Sequence, residues 1–428
     1  MLRRAVLAIA VVSPLAAGAA PASPPPRPLV IAQQGTPDIE PALRAVIGRL
    51  RDGSPDYASF EPQLADAIRQ QMPAIAPLLE KLGPLQRIEF VATQSGTGVY
   101  RAVFANGVTL WAIKMSPTGK IAALSFRPEP AAALAADPLG IEVTTAGLSG
   151  TLRKPDGMDR PPVVLLVAGS GPTDRNGNQA GRGPDELHQI AEALAARGIA
   201  SLRYDKRAVG RSVPPANFRE EDLVLDSFVD DAAAWLAFLA QRSDLGPRFV
   251  AGHSEGGLIA IAVAKRVPVS GIALLATPGR PVGEATREQL RAAGLPQPIL
   301  DEALATLAVL ERGESVATVS APLLPLLRPS VQPFMRSLLA VAPAQELKAL
   351  RVPVLVAQGG HDRQVSAADA AALVEARPDA TVFRAPEMNH VLKLAPADAA
   401  DQQKSYTDPT IPLAPGLAEA IAAFVRDH

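Results

Sequence analysis

From about residue 139 onward, strand-length apolar runs alternate with segments of helical period. This alternation constrains the fold more than any other feature. Strands are expected at 140–144, 147–153, 163–168, 199–204, 249–251, 271–275, 354–358 and 381–385. Helices are expected at 185–197, 223–241, 255–266, 367–375 and 415–427. Several strands, Val163–Ala168 among them, are apolar at every position. Such a strand must be buried on both faces, and a mostly parallel sheet with helices on either side achieves that. The expected fold class is therefore α/β. Between Pro278 and about Gln345 the alternation breaks into Ala-, Leu- and Pro-rich stretches with helical spacing, read as an insertion over 281–345.

Ahead of this region, residues 37–130 read as a small α+β domain. Helical spacing runs from Asp38 to Leu82, with Pro73 and Pro77 expected to kink or split the second helix. RIEFVAT, GVYRAVFANG, VTLWAIKMSPTGK and IAALSFRP then read as strands, and Asn106-Gly107 is a hairpin signal. Earlier still, Arg3 and Arg4 precede a short apolar run, Ala5–Val12, and an Ala-Gly-Ala cleavage site at 17–19. Residues 1–22 are therefore read as a secretory signal and 23–36 as a Pro-rich linker. The mature chain is expected to be exported, periplasmic or secreted, with no membrane insertion after cleavage.

The 428 residues are 48% hydrophobic and 20% charged, which suits a globular chain with more than one domain. A formal net charge of -1 gives no reason to expect nucleic acid as a partner. With no cysteine, thiol nucleophiles, thiolate metal sites and disulfides are excluded.

One serine lies at a seam in the alternation. Gly252-His253-Ser254-Glu255-Gly256 is G-x-S-x-G between an expected strand and an expected helix, the setting of a nucleophile elbow. A serine hydroxyl needs a base, and the base an orienting acid; at such an elbow the acid and then the base follow in chain order. His361, His390 and His428 are the histidines beyond Ser254. His428 is terminal and His361 directly precedes a candidate acid. His390, in the loop after the last expected strand, is the expected base. Asp362, following Gly359-Gly360 after the preceding strand, is the expected acid; Asp369 and Asp379 are the alternatives. Oxyanion donors are expected from the backbone N–H of Glu255 and, in Ala168-Gly169-Ser170-Gly171, of Ser170. GSGPTDRNG is not a phosphate loop, because no G-K-[ST] follows. H-E-x-x-H and S-x-x-K patterns are absent, and neither a metal nor a cofactor is expected.

VAGSGPTDRNGN, SLRYDKRAVGRS, GHSEGG, VAQGGHD and MNHVLK together resemble the α/β-hydrolase superfamily over about 139–428. The closer likeness is to exported bacterial serine aminopeptidase-like and esterase-like members. The element order of 37–130 resembles the NTF2-like or cystatin-like modules that precede some bacterial hydrolase domains. Ala208 stands where relatives usually have glycine. Asp205 and Arg207 beside it are read as a structural ion pair. Asp174 and Arg175 are expected to brace the oxyanion loop, and His253 to be structural. The insertion over 281–345 is read as a lid with an apolar wall over Ser254. Three functions stay open: a serine hydrolase acting on a small-molecule carboxylic ester, a peptidase or amidase with the same triad, and a non-catalytic binding protein. The peptidase reading needs an acidic cluster, for which the lid offers Glu284, Glu288, Asp301, Glu302 and Glu311. The sequence leaves the oligomeric state open.

Overall fold

The computed structural model describes residues 39–94, 97–129, 140–179, 183–212 and 218–428. The expected signal and linker lie outside the described residues. The chain divides at Ala131 into two compact units.

In the first unit, helices α1 (Glu40–Arg51) and α2 (Pro62–Lys81) precede strands β1 (Leu85–Gln94), β2 (Thr97–Phe104), β3 (Gly107–Met115) and β4 (Ile121–Glu129). The strands form an antiparallel meander in chain order. Trp111 stacks on Phe126 with ring centroids 4.3 Å apart, within a core that includes Leu64, Ile68, Ile75 and Leu79 of α2. α2 runs unbroken through Pro73 and Pro77, so the prolines do not split it. Buried residues on both sides of the prolines hold one apolar face to the core, and such packing outweighs the lost backbone bonds. The β2–β3 turn is Ala105-Asn106, because Phe104 pairs with Gly107. It lies one residue before the expected Asn-Gly pair.

The second unit holds β5 (Gly140–Thr145), β6 (Leu148–Arg153), β7 (Val163–Val167), β8 (Ala200–Tyr204), β9 (Arg248–His253), β10 (Gly271–Leu275), β11 (Val354–Gly359) and β12 (Thr381–Ala385). They form one sheet in the order β12-β11-β10-β9-β7-β8-β6-β5. The six strands from β7 to β12 run parallel, while β6 is antiparallel to both β5 and β8. Helices α3 (Glu186–Ala195), α4 (Leu225–Ala240) and α5 (Glu255–Ala264) join the central strands. The insertion carries α6 (Val282–Ala292), α7 (Gln297–Glu311), α8 (Leu324–Leu327), α9 (Gln332–Leu339) and α10 (Pro343–Lys348), all between β10 and β11. After it come α11 (Ala367–Ala376), the unforeseen α12 (Ala399–Ser405) and α13 (Leu417–Asp427).

Along β7 the side chains divide by parity, as a pleated strand dictates. Val163, Leu165 and Val167 enter a core shared with Trp235 and Leu236 of α4 and Ile259 and Val263 of α5. Val164 and Leu166 enter the opposite core with Ile190 and Leu194 of α3 and Ile421 and Val425 of α13. Each fully buried aliphatic side chain contributes roughly 1.5–3 kcal/mol, so both layers hold the sheet rigidly beneath its loops. Strand β9 runs to His253, past the apolar Phe249–Ala251, because its pairing with β10 continues through His253 and Leu275.

Candidate active site

Because β7 to β12 are parallel, the loops after them gather at one carboxyl edge, where α/β folds place their sites. Ser254 follows β9 and directly precedes α5. Its φ of 55° and ψ of -119° are a conformation that side chains other than glycine rarely adopt. The Ser254 N–H donates to the Leu275 carbonyl at 2.8 Å, and its own carbonyl accepts from the Gly257 N–H at 3.0 Å. Crowding explains the neighbouring glycines. A Cβ on Gly252 would lie 2.1 Å from the Gly256 carbonyl oxygen, and one on Gly256 would lie 2.2 Å from that of Val167. The elbow can close only if both side chains are absent.

Asp362 follows β11 and His390 follows β12. His390 Nδ1 lies 3.1 Å from Asp362 Oδ1 and 3.0 Å from Oδ2. A carboxylate can only accept, so Nδ1 donates to it. Asp362 Oδ1 also accepts from the N–H groups of Gln364 at 2.8 Å and Val365 at 2.9 Å. The Asp362 side chain is 0% exposed. Burial opposes its charge. The charge and hydrogen bond of His390, with the two backbone donors, outweigh burial and hold the carboxyl below its ordinary range. The two loops touch through glycines: a Cβ on Gly359 would lie 2.0 Å from the Met388 carbonyl oxygen, and one on Gly360 would lie 2.4 Å from that of Pro386. The alternative acids are engaged elsewhere, Asp369 with Arg280 and Asp379 with Arg377.

Among the described residues no hydrogen bond joins Ser254 Oγ to His390. Catalytic hydrogen bonds of this kind are often long until substrate fills a site. The oxyanion loop lies beside the elbow, since a Cβ on Gly169 would sit 3.4 Å from Ser254 Cβ. Its carbonyls are occupied. Lys206 Nζ donates to the Gly169 oxygen at 2.6 Å, and Gln179 Nε2 and Thr173 Oγ1 donate to that of Ser170 at 2.6 and 3.1 Å. Among the described residues nothing accepts the N–H of Ser170 or of Glu255.

Asp205 and Arg207 do not pair with each other. Asp205 accepts from Arg175 Nε at 3.2 Å and from Arg175 Nη2 at 2.8 Å, while Arg207 Nε reaches Asp231 at 2.8 Å. Beyond β8 the chain turns, with the Val209 N–H on the Lys206 carbonyl at 3.0 Å, and sends the two side chains to different neighbours. Asp174 Oδ1 accepts from the N–H groups of Asn176 and Asn178, both at 2.9 Å, and burial raises its carboxyl to about 6. His253 Nε2 donates to the His390 carbonyl at 2.7 Å. Burial, then the charge of His390, lowers His253 to about 3, so the ring is neutral. The Glu186 carboxyl, 3.7 Å from His253 Nδ1, is raised by burial. Sequence reasoning passed over Lys206, which pairs with Glu255 at 3.0 Å. Its only signal was a charge two residues past the expected strand 199–204, inside Asp205-Lys206-Arg207.

Residues 184–394 match the family model described as serine aminopeptidase, S33. The chain is 31% identical over 271 residues to Esterase EstD of Thermotoga maritima, covering 60% of this chain and 62% of that protein. It is 31% identical over 202 residues to a monoacylglycerol lipase of Mycolicibacterium smegmatis, covering 44% of this chain and 69% of that one. Among solved structures, Est1E from Butyrivibrio proteoclasticus is similar at a TM-score of 0.43 and 15% identity, covering 67% of this chain and 98% of that one.

Proposed function

The chain belongs to the α/β-hydrolase superfamily, and we propose that it is a serine hydrolase cleaving a carboxylic ester through an acyl-enzyme. The reading rests above all on the buried Asp362–His390 pair, on the same sheet edge as the strained Ser254. Ser254 Oγ attacks the ester carbonyl while His390 Nε2 takes its proton. Asp362 stabilises the imidazolium that forms. The N–H groups of Ser170 and Glu255 donate to the oxyanion. Collapse of the intermediate expels the alcohol, which leaves with the proton from His390. Water, deprotonated by His390, then attacks the acyl group, releasing the acid and restoring Ser254. Losing one oxyanion donor costs about 3 kcal/mol of transition-state stabilisation.

An ester is favoured over a peptide for two reasons. The relatives named above are an esterase and a lipase. The lid acids are also matched by cations or hydrogen-bond donors rather than left open for a free amine: Glu284 and Glu288 line one pocket, but together with Arg280, Arg287 and Arg291. Glu288 pairs with Arg280, Glu311 with Arg287, Asp301 accepts from Gln297, and Glu302 accepts from the Ser320 N–H. On this reading the insertion over 281–345 lines the acyl side of the site. Residues 1–22 are removed on export, and the mature enzyme works in the periplasm or outside the cell.

The test is turnover by the mature protein of a p-nitrophenyl ester chain-length series against aminoacyl-p-nitroanilides. Higher kcat/KM on esters, lost in Ser254→Ala, is the expected result. Preferred anilide cleavage would transfer the assignment to a peptidase. No turnover of either by folded protein would leave the binding reading.

A further inference from the structure

We propose that Lys206 is a positioning residue that aims one of the two oxyanion donors by holding the Gly169–Ser170 peptide in one orientation. This rests on the serine-hydrolase reading above and deepens it. In a trans peptide the C=O of one residue and the N–H of the next point in opposite directions. No peptide among the described residues is cis. Fixing the Gly169 carbonyl therefore fixes the Ser170 N–H. Lys206 Nζ donates to that carbonyl at 2.6 Å from inside the protein, on a side chain only 3% exposed. The Ser170 N–H is thereby turned away from Lys206, and among the described residues it meets no acceptor.

A buried ammonium needs a counter-charge. It comes from Glu255, whose Oε1 is 3.0 Å from Nζ and whose side chain is also 3% exposed. Glu255 supplies the second oxyanion donor through its backbone N–H. One ammonium thus links the loop after β7, which carries the first donor, to the first residue of α5, which carries the second. Both ends of the hole are set relative to one another by a single side chain on the loop after β8. A flat peptide pinned at its carbonyl cannot flip when negative charge leaves the site, so the hole is preorganised rather than induced. Lys206 also lies 5.1 Å from the Phe228 ring centroid, a cation–π contact that confines the ammonium from a further side.

The test compares the wild type with Lys206→Met and with the double variant Lys206→Met/Glu255→Leu. The double variant leaves no orphaned buried charge, and apolar replacement of a buried ion pair is commonly tolerated. It therefore keeps the test open if the single variant does not fold. Both are measured for kcat, KM and inhibition by a trifluoromethyl ketone, whose serine-bound hemiketal carries the oxyanion. The expected result is a fall in kcat of about 10- to 100-fold, short of the 10²–10³-fold from deleting a donor outright. KM should stay within about twofold, and the ketone should weaken by the same factor as kcat. Lys206→Arg, which keeps the charge and a donor, should recover part of the loss. A folded variant with unchanged kcat and ketone affinity would overturn the proposal. So would a loss confined to KM, which would make Lys206 a substrate-binding or merely structural residue. If the wild type itself fails to react with a fluorophosphonate, the serine-hydrolase reading fails instead, and the two failures are told apart.

Discussion

At the residue scale, Ser254 is held where its backbone is strained, and the strain is maintained by bonds to Leu275 and Gly257. Its proposed partners are an imidazole whose Nδ1 donates to the acid and a carboxyl held below its ordinary range. Asp362→Asn should leave the fold intact yet lower kcat by about 10⁴-fold, because the amide favours the wrong tautomer of His390. Steady-state ester turnover checks this. Ala208 has a φ of 62°, and glycine relieves the left-handed strain there. Ala208→Gly should add about 1 kcal/mol of stability, raising Tm by roughly 2 °C in thermal unfolding. Asp174 gives a pH dependence with a definite sign. Its folded pKa of about 6 lies above the ordinary carboxylate value, so the fold binds the proton more tightly than the unfolded chain. Its contribution to stability is present at low pH and is lost as pH rises through about 6. Asp174→Asn should flatten the stability profile between pH 4 and 6, read by urea unfolding at several pH values. Ser254, Asp362 and His390 were legible because each sits at a recognisable punctuation mark, a glycine turn or the end of a strand. Lys206 was not, because what defines it is a contact with Glu255 across 49 residues of sequence.

At the element scale, the central strands of the second unit were legible as short apolar runs buried on both faces, β7 and β10 at every position, whereas the edge strands β5 and β12 are largely exposed and were marked by their turn residues. The ends of the central strands were less legible. β9 extends through Gly252 and His253 by backbone pairing, which the side-chain pattern does not record. The continuous α2 is the counterpart: local proline chemistry forecast a kink or a split, and packing of Ile68, Ile75 and Leu79 keeps the helix from splitting. The elbow offers a sharper case. A Cβ on Gly256 would meet backbone of β7 at 2.2 Å, which neither strand nor helix can yield without losing the sheet. Gly256→Ala should therefore destabilise the second unit by more than about 3 kcal/mol, at the severe end for a point substitution. Denaturant titration followed by tryptophan fluorescence, through Trp235, would report it.

At the scale of the whole molecule, the two units have cores with no residue in common. The proposed nucleophile, Ser254, belongs to the second unit alone, at the carboxyl edge of its sheet. The most direct measurement is reaction of the mature protein with a fluorophosphonate, followed by mass spectrometric mapping of the adduct. A single adduct on Ser254 is expected, absent in Ser254→Ala and slow to form in Asp362→Asn. Folded protein that takes no label, or takes it on another serine, would overturn Ser254 as the nucleophile.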